Sequence, residues 1–496
     1  MILLAVGTAL KEAGLLVAVG LAAVVVLAPV ARVRAAAMLG ALVLTPVLLL
    51  AEVWNTPQFE PIRSRPALAA GAAVAGLVAL GLAAWAIDRR PALLPLAATF
   101  AVPFRVPIES GGQSSNLLVP LYFVVAAGAL AFAIPRLRGS RPRRDSTPRG
   151  ALEWLLMAAV ALYAVQAAYS SDFTKALEQV VFFYVPFALL YALLVSVEWN
   201  TALARRCLYV LVGLGLAFSA VGFLEYATRT VFLNPAVVAS NQFQTYFRVN
   251  SLFFDPNIFG RFLVVVLTAL AATMLWSRRP RTIWLVAGAS AVLFGGLMLT
   301  LSQSSLGALL VGLVVLAILR WNPLWTSLAV VGAIALAASA VFAFPGAVKV
   351  DLGSGESVDK ATSGRVDLLN GGVDLFAKRV VYGWGSGSFS KEFRRAERVS
   401  GERAVDASHT IPVTVAAEQG IIGLAVYLAL LATAFLRLLR AARASPVRAA
   451  IAAAFAGLVL HTLLYAAFLE DPLTWTLLAA GSAFALRPQA DSAAGV

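Results

Sequence analysis

The chain has 496 residues, is 60% hydrophobic and 13% charged, and carries a formal net charge of +14. That composition excludes an ordinary soluble globular protein. Recurrent runs of about twenty apolar residues, each long enough to cross about 30 Å of hydrocarbon, indicate a polytopic helical membrane protein. The runs do not alternate, which excludes a transmembrane barrel. The excess arginine lies in short loops between runs, as the positive-inside bias requires, so nucleic acid is not an expected partner. The one cysteine, Cys207, leaves no internal disulfide and no cysteine-based metal site.

The first apolar run, Gly14 to Val30, lacks a basic start and lacks a small-residue cleavage motif leading into a soluble domain. It is expected to be a retained span. Spans are expected over about 13–31, 36–53, 67–87 and 117–135. The run at about 91–104 is marginal in length, and a re-entrant or buried segment is the alternative to a crossing. Arg136 to Arg149 then holds six Arg against one Asp, the strongest orientation signal in the chain, and is assigned to the cytoplasm. Threading from there, spans at about 151–169, 180–197, 207–225, 258–276, 282–300, 306–320, 324–344, 411–436, 449–468 and 473–486 bring every Arg-rich short loop to one side. The expected fold class is all-α: a transmembrane bundle of 13 to 15 spans with a large extracytoplasmic loop carrying short helices. Four segments follow: N-terminal spans ending in a basic cytoplasmic loop (1–150), central spans with outer donor-binding loops (151–344), an extracytoplasmic catalytic loop (345–410), and C-terminal spans with a short cytoplasmic tail (411–496). No internal repeat is visible, which weighs against an inverted-repeat transporter.

The long polar stretch, Gly346 to Ile411, contains ten Lys or Arg and nine Asp or Glu. That near-balance describes a solvated folded loop rather than a charge patch. Three residues stand out on the expected outer face. Arg248 precedes a span in TYFRVNSLFFDPNIFGRF; snorkelling to headgroups is its bland role. Arg365 opens an expected helix, Arg365 to Lys378, with Val366, Leu369, Val373 and Phe376 on one face; pairing with Asp367 or Asp374 is its bland role. His409 stands where loop becomes span, with Ser408 or Thr410 as N-cap and Pro412 in the first turn; capping is its bland role. Two arginines and a helix N-terminus suit a phosphate group, and a histidine there suits a base near neutral pH. His461, in mid-span, reads as a packed, hydrogen-bonded histidine. The outer loops hold no paired carboxylates and no zinc spacing, so no metal is expected. YGWGSGSF, Tyr382 to Phe389, lacks the Lys-Ser/Thr ending of a P-loop and reads as a tight turn over the membrane surface.

At these residues the sequence resembles the O-antigen ligase and O-antigen polymerase superfamily, in order over about Tyr163 to Leu431. The matching pieces are SSDFTKALEQ, FRVNSLFFDPNIFG, LTLSQSSLGALL, TSGRVDLL, GWGSGSF, and His409 followed by AAEQGIIGL. The resemblance implies a GT-C-like, metal-independent glycosyltransferase of the bacterial inner membrane with no cofactor. Its donor would be an undecaprenyl-diphosphate-linked glycan at the outer leaflet, and its acceptor a glycan or glycolipid. It implies diphosphate binding by Arg248 and Arg365 and service of the acceptor hydroxyl by His409. Asp255, Asn257, Gln303 and Glu418, within the same pieces, are the expected supporting residues. The family often has Arg where this chain has Gln303, which removes a third cation, and Asn where it has Thr410. Ligase and polymerase differ in acceptor, which these residues do not separate. A transporter of lipid-linked or amphiphilic solutes would instead use ionisable groups at mid-membrane, for which Glu225 and His461 are the nearest candidates. A non-catalytic envelope scaffold would have no use for His409.

Overall fold

The structure is a computed structural model, which describes residues 2–53, 60–110, 113–139, 149–233, 247–343, 365–397, 410–465 and 467–485. It is a polytopic helical bundle. In chain order the helices are α1 (Ile2–Leu27), α2 (Ala31–Val53), α3 (Glu60–Ser64), α4 (Pro66–Arg89), α5 (Leu93–Ala101), α6 (Val119–Leu137), α7 (Ala151–Ala167), α8 (Phe173–Gln179), α9 (Val185–Ser196), α10 (Thr201–Thr228), α11 (Pro256–Trp276), α12 (Pro280–Thr300), α13 (Gln303–Arg320), α14 (Pro323–Ala343), α15 (Arg365–Lys378), α16 (Phe389–Glu397), α17 (Ile411–Leu439), α18 (Pro446–Leu464) and α19 (Pro472–Ala485). Among the described residues the helical class has one local exception, an antiparallel hairpin of β1 (Val106–Ser110) and β2 (Gln113–Leu117), with Val106 opposite Leu117. Among the described residues, eleven helices are long and apolar enough to cross a membrane; Ala151–Ala167 and Pro323–Ala333 are shorter apolar helices. The marginal run at 91–104 becomes α5, nine residues. At about 1.5 Å per residue it is far too short to cross, and it buries Leu94, Pro95, Ala98, Thr99 and Ala101 instead.

Local chemistry explains how the helices are joined and bent. Between α8 and α9 the chain stays helical but widens into a π turn, Val180–Tyr184. Pro186 follows, and without an N–H it cannot bond the carbonyl four residues back, that of Phe182. That carbonyl accepts from the Tyr122 hydroxyl of α6 at 2.7 Å, so the break in one helix becomes a tie to another. Small residues set the approach of α11, α13 and α18. A Cβ on Gly457 would lie 2.6 Å from the Ala308 carbonyl, and one on Gly312 would lie 2.9 Å from the Thr268 hydroxyl. A further tie joins α7 to α17. Arg437 Nη1 and Nη2 donate to the two oxygens of buried Glu153 at 3.0 and 3.2 Å, and the Tyr191 hydroxyl donates to the same carboxylate at 2.7 Å.

Among the described residues, the two largest apolar clusters lie in the bundle. The larger draws on α1, α2, α4 to α11 and α17 to α19; the second joins α10 to α13 around Phe218, Phe253, Phe259 and Phe262. The segment from Phe247 to Phe253 and the last turns of α12 belong to the second cluster, and beside it polar side chains gather.

Candidate functional site

The segment Phe247 to Asp255 is folded by Glu225, at the end of α10. Its buried carboxylate accepts from the backbone N–H groups of Asn250 and Ser251, at 3.2 and 2.8 Å. The turn it holds puts Ser251 at φ +53°, a left-handed conformation costly for a residue with a Cβ. The same segment docks on the C-terminal end of α12. There Leu301 turns left-handed (φ +50°), and the carbonyls of Leu299 and Thr300 accept from Val249 N–H and from Arg248 Nε, at 3.2 and 3.0 Å. Arg248 is thus held by a helix C-terminus, whose partial negative charge suits a guanidinium. Its Nη2 reaches Asn257 Oδ1 at 3.4 Å.

Two helix N-termini meet beside it. Asp255 caps α11 by accepting from Asn257 N–H at 2.6 Å. Ser302 caps α13 by accepting from Ser305 N–H, and its hydroxyl donates to Asn257 Oδ1 at 2.7 Å. Gln303 is the exposed first residue of α13. One turn beyond Asn257, on the same face of α11, Arg261 is buried at 2% exposure. It forms an ion pair with buried Asp471, donates through Nη1 to the Ala467 carbonyl at 3.2 Å, and donates through Nε to His461 Nδ1 at 3.2 Å. A guanidinium cannot accept, so Nδ1 is the acceptor, and neutral His461 carries its proton on Nε2. That nitrogen faces the Ser305 and Ser304 hydroxyls at 3.1 and 3.3 Å. His461 is therefore the packed, hydrogen-bonded residue its mid-span position suggested. Just past α18, Tyr465 lies against Asp255 and under the Arg261 guanidinium. Burial, then the Asp255 carboxylate, push its hydroxyl above the ordinary phenol range.

A second assembly anchors the long polar loop. In the Tyr382–Phe389 turn, Gly383, Gly385 and Gly387 all have positive φ, +67°, +94° and +76°. A Cβ on Gly383 would lie 2.3 Å from the Glu418 carbonyl, and one on Gly385 would lie 2.4 Å from Ser170 Cα, so backbone meets backbone there. Glu418, buried in the first turns of α17, accepts from Gly387 and Phe389 N–H at 2.9 and 3.0 Å. Two residues on, Gly420 breaks the helix (φ +67°, ψ −165°). The Gln419 carbonyl beside this kink accepts from Gln166 of α7 at 3.2 Å. Ser170 donates to the Ser386 carbonyl at 2.7 Å, and Lys391 to that of Ser171. The turn is a clasp between α8 and α17.

The structure thus gathers Arg248, Asp255 and Asn257, with Gln303 at the adjoining cap. It places Glu418 in the clasp, holding backbone. Arg365 opens α15 as expected, but its side chain lies outside the described residues, as does His409. Thr410 stands at the N-cap of α17 without capping it; its hydroxyl donates to the Leu463 carbonyl at 3.1 Å, beside the His461–Tyr465 segment. The apolar stripe read on α15 is not the face that the helix buries. Leu368, Gly371, Gly372 and Leu375 are buried, whereas Leu369 and Val373 are exposed. The two glycines decide this. A Cβ on Gly371 would lie 2.4 Å from the Phe393 ring, and one on Gly372 would lie 2.5 Å from Val413, so the smallest residues take the tightest contact. Arg261, Tyr465 and Asp471 were not singled out from sequence. Arg261 carried a usable signal, as a lone arginine inside an apolar span.

A model of the O-antigen ligase family matches residues 288–428, from α12 through the long loop into α17. The resemblance to the O-antigen ligase superfamily is borne out over that span. The comparison with curated proteins finds no match.

Proposed function

We propose that this polytopic membrane protein is a glycosyltransferase of the O-antigen ligase type. It transfers a glycan from an undecaprenyl-diphosphate carrier to a sugar hydroxyl at the outer leaflet. The observation that carries the reading is the meeting of two helix N-termini with Arg248 and Arg261, next to the segment that matches the family. Helix N-termini and guanidinium groups both favour a diphosphate. In the proposed reaction the acceptor hydroxyl loses its proton to His409 as its oxygen attacks the anomeric carbon. The bond from that carbon to the diphosphate breaks, and lipid diphosphate leaves with the electron pair. Attack from the far side inverts the anomeric centre. The leaving group is already good, so the protein's task is to neutralise charge growing on the diphosphate, which Arg248 and Arg365 perform in this reading. Thr410, the chain neighbour of His409, donates to the Leu463 carbonyl on the segment that carries His461. The solute-transport reading loses a candidate, because the Glu225 carboxylate already holds the Asn250–Ser251 turn.

The test is incubation of purified protein with a lipid-diphosphate glycan and an acceptor, scoring free lipid diphosphate. Release that needs the acceptor is expected; movement of intact donor across vesicles without release would favour transport. His409→Asn should lower turnover by about 10² or more while donor binding is kept. A base must be unprotonated, so the wild-type rate should fall as pH drops through its pKa, and the variant's residual rate should lack that inflection. Near-normal turnover in His409→Asn would remove the base from the mechanism.

A further inference from the structure

The arginine cluster extends to a residue from a distant part of the chain. Phe104 and Arg105 follow α5. The Phe104 ring packs 5.8 Å from Phe218, edge-on, against the aromatic cluster that underlies Phe253 and Phe259. Arg105 then faces Asp471, Arg261, Tyr465 and Tyr122. Its Nε is buried and has no hydrogen-bond partner among the described residues. Asp471 acts on its charge without supplying that bond. Burial pulls the guanidinium below its usual pKa, yet arginine remains a cation in any protein setting.

Arg105, Arg248 and Arg261 bring three guanidinium groups to a region in which, among the described residues, Asp255, Asp471 and Glu225 supply carboxylates. His461 accepts from Arg261 and is neutral. Two helix N-termini add further positive potential. A buried guanidinium N–H without an acceptor is a place for an anion's oxygen.

We propose that Arg105 supplies a third guanidinium to the carrier's diphosphate, from the N-terminal part of the chain, making up for the cation absent at Gln303. This rests on the carrier-diphosphate reading above. Arg105 binds the part of the anion that Arg248 does not reach, so its contribution is felt by a diphosphate more than by a monophosphate.

The test measures binding of undecaprenyl diphosphate and undecaprenyl monophosphate to the purified full-length protein, as wild type, Arg105→Gln, Arg105→Lys and Arg248→Ala. Arg105→Gln should weaken diphosphate binding about tenfold or more, the value of a lost charge-assisted hydrogen bond, and monophosphate binding much less. Arg105→Lys keeps the charge without the fork and should fall between. Unchanged diphosphate binding in Arg105→Gln, with binding lost in Arg248→Ala, overturns the role of Arg105 alone. Equal loss for both lipids in Arg105→Gln also overturns it, since that marks a structural cation. If Arg105→Gln fails to fold, Arg105→Lys decides: a diphosphate-selective loss supports the proposal and none overturns it. Wild type that binds neither lipid, or Arg248→Ala that binds both normally, overturns the carrier reading and this inference together.

Discussion

Arg248 is held from two sides, by the Thr300 carbonyl and by Asn257. That fixes where its charge points without burying it, since the residue stays partly exposed. Arg248→Ala should therefore cost little stability but, in the proposed reaction, most of the transfer rate, about 10² or more, because the lost donor would act where charge develops. Arg248→Lys should rescue only part, since lysine has no planar fork to span Thr300 and Asn257 together. A wild-type rate in folded Arg248→Ala would remove the residue from the chemistry. The neighbouring Arg261 differs in kind. It is buried against Asp471 and His461, so its loss would leave a buried carboxylate unpaired, and the cost would fall on folding before function.

At the scale of elements, two devices hold the bundle and the loop. Gly385 combines φ +94° with a backbone contact that no side chain can yield to. Gly385→Ala should destabilise by about 2 kcal/mol or more and should loosen amide exchange across Gly383 to Phe389. Gly76→Ala, in α4 with nothing within 4 Å of its Cβ position, should be neutral or stabilising. Similar losses from both would mean that the clasp bears no strain-free requirement for glycine. Arg437 ties α17 to α7 through buried Glu153. Arg437→Ala should cost about 3–5 kcal/mol by stranding that carboxylate, read as a lowered melting temperature in detergent. Adding Glu153→Gln should recover much of it; no recovery would show that packing, not the unpaired charge, sets the cost. The buried face of α15 follows the same physics: hydrophobic period marked one face, but close backbone approach at Gly371 and Gly372 selected the other.

For the whole molecule the governing expectation is sidedness. Arginine bias puts the Arg136 to Arg149 loop in the cytoplasm and the Gly346 to Ile411 stretch outside. Cys207 is buried, so it offers little background to a labelling test. A cysteine at Ser357 should react with an impermeant reagent in intact cells and one at Ser140 should not; the reverse would put the proposed donor site on the wrong face. Much of the architecture was legible from sequence alone. Length and apolar runs determined a helical membrane bundle, because hydrocarbon leaves every backbone group to be satisfied within its own segment. The order of short polar motifs pointed to the O-antigen ligase superfamily and to Arg248, Asp255 and Asn257. Tertiary structure alone decided how the motifs are shared out: the FRVNSLFFDPNIFG and LTLSQSSLGALL pieces make the arginine cluster, while SSDFTKALEQ, GWGSGSF and AAEQGIIGL make the clasp. It also decided that Arg105, Arg261, His461 and Asp471 share one place. The physical reason is that partners more than a hundred residues apart leave no local period or spacing in the chain. Which buried charge faces which is set by how the helices pack, and only the packed bundle contains that information.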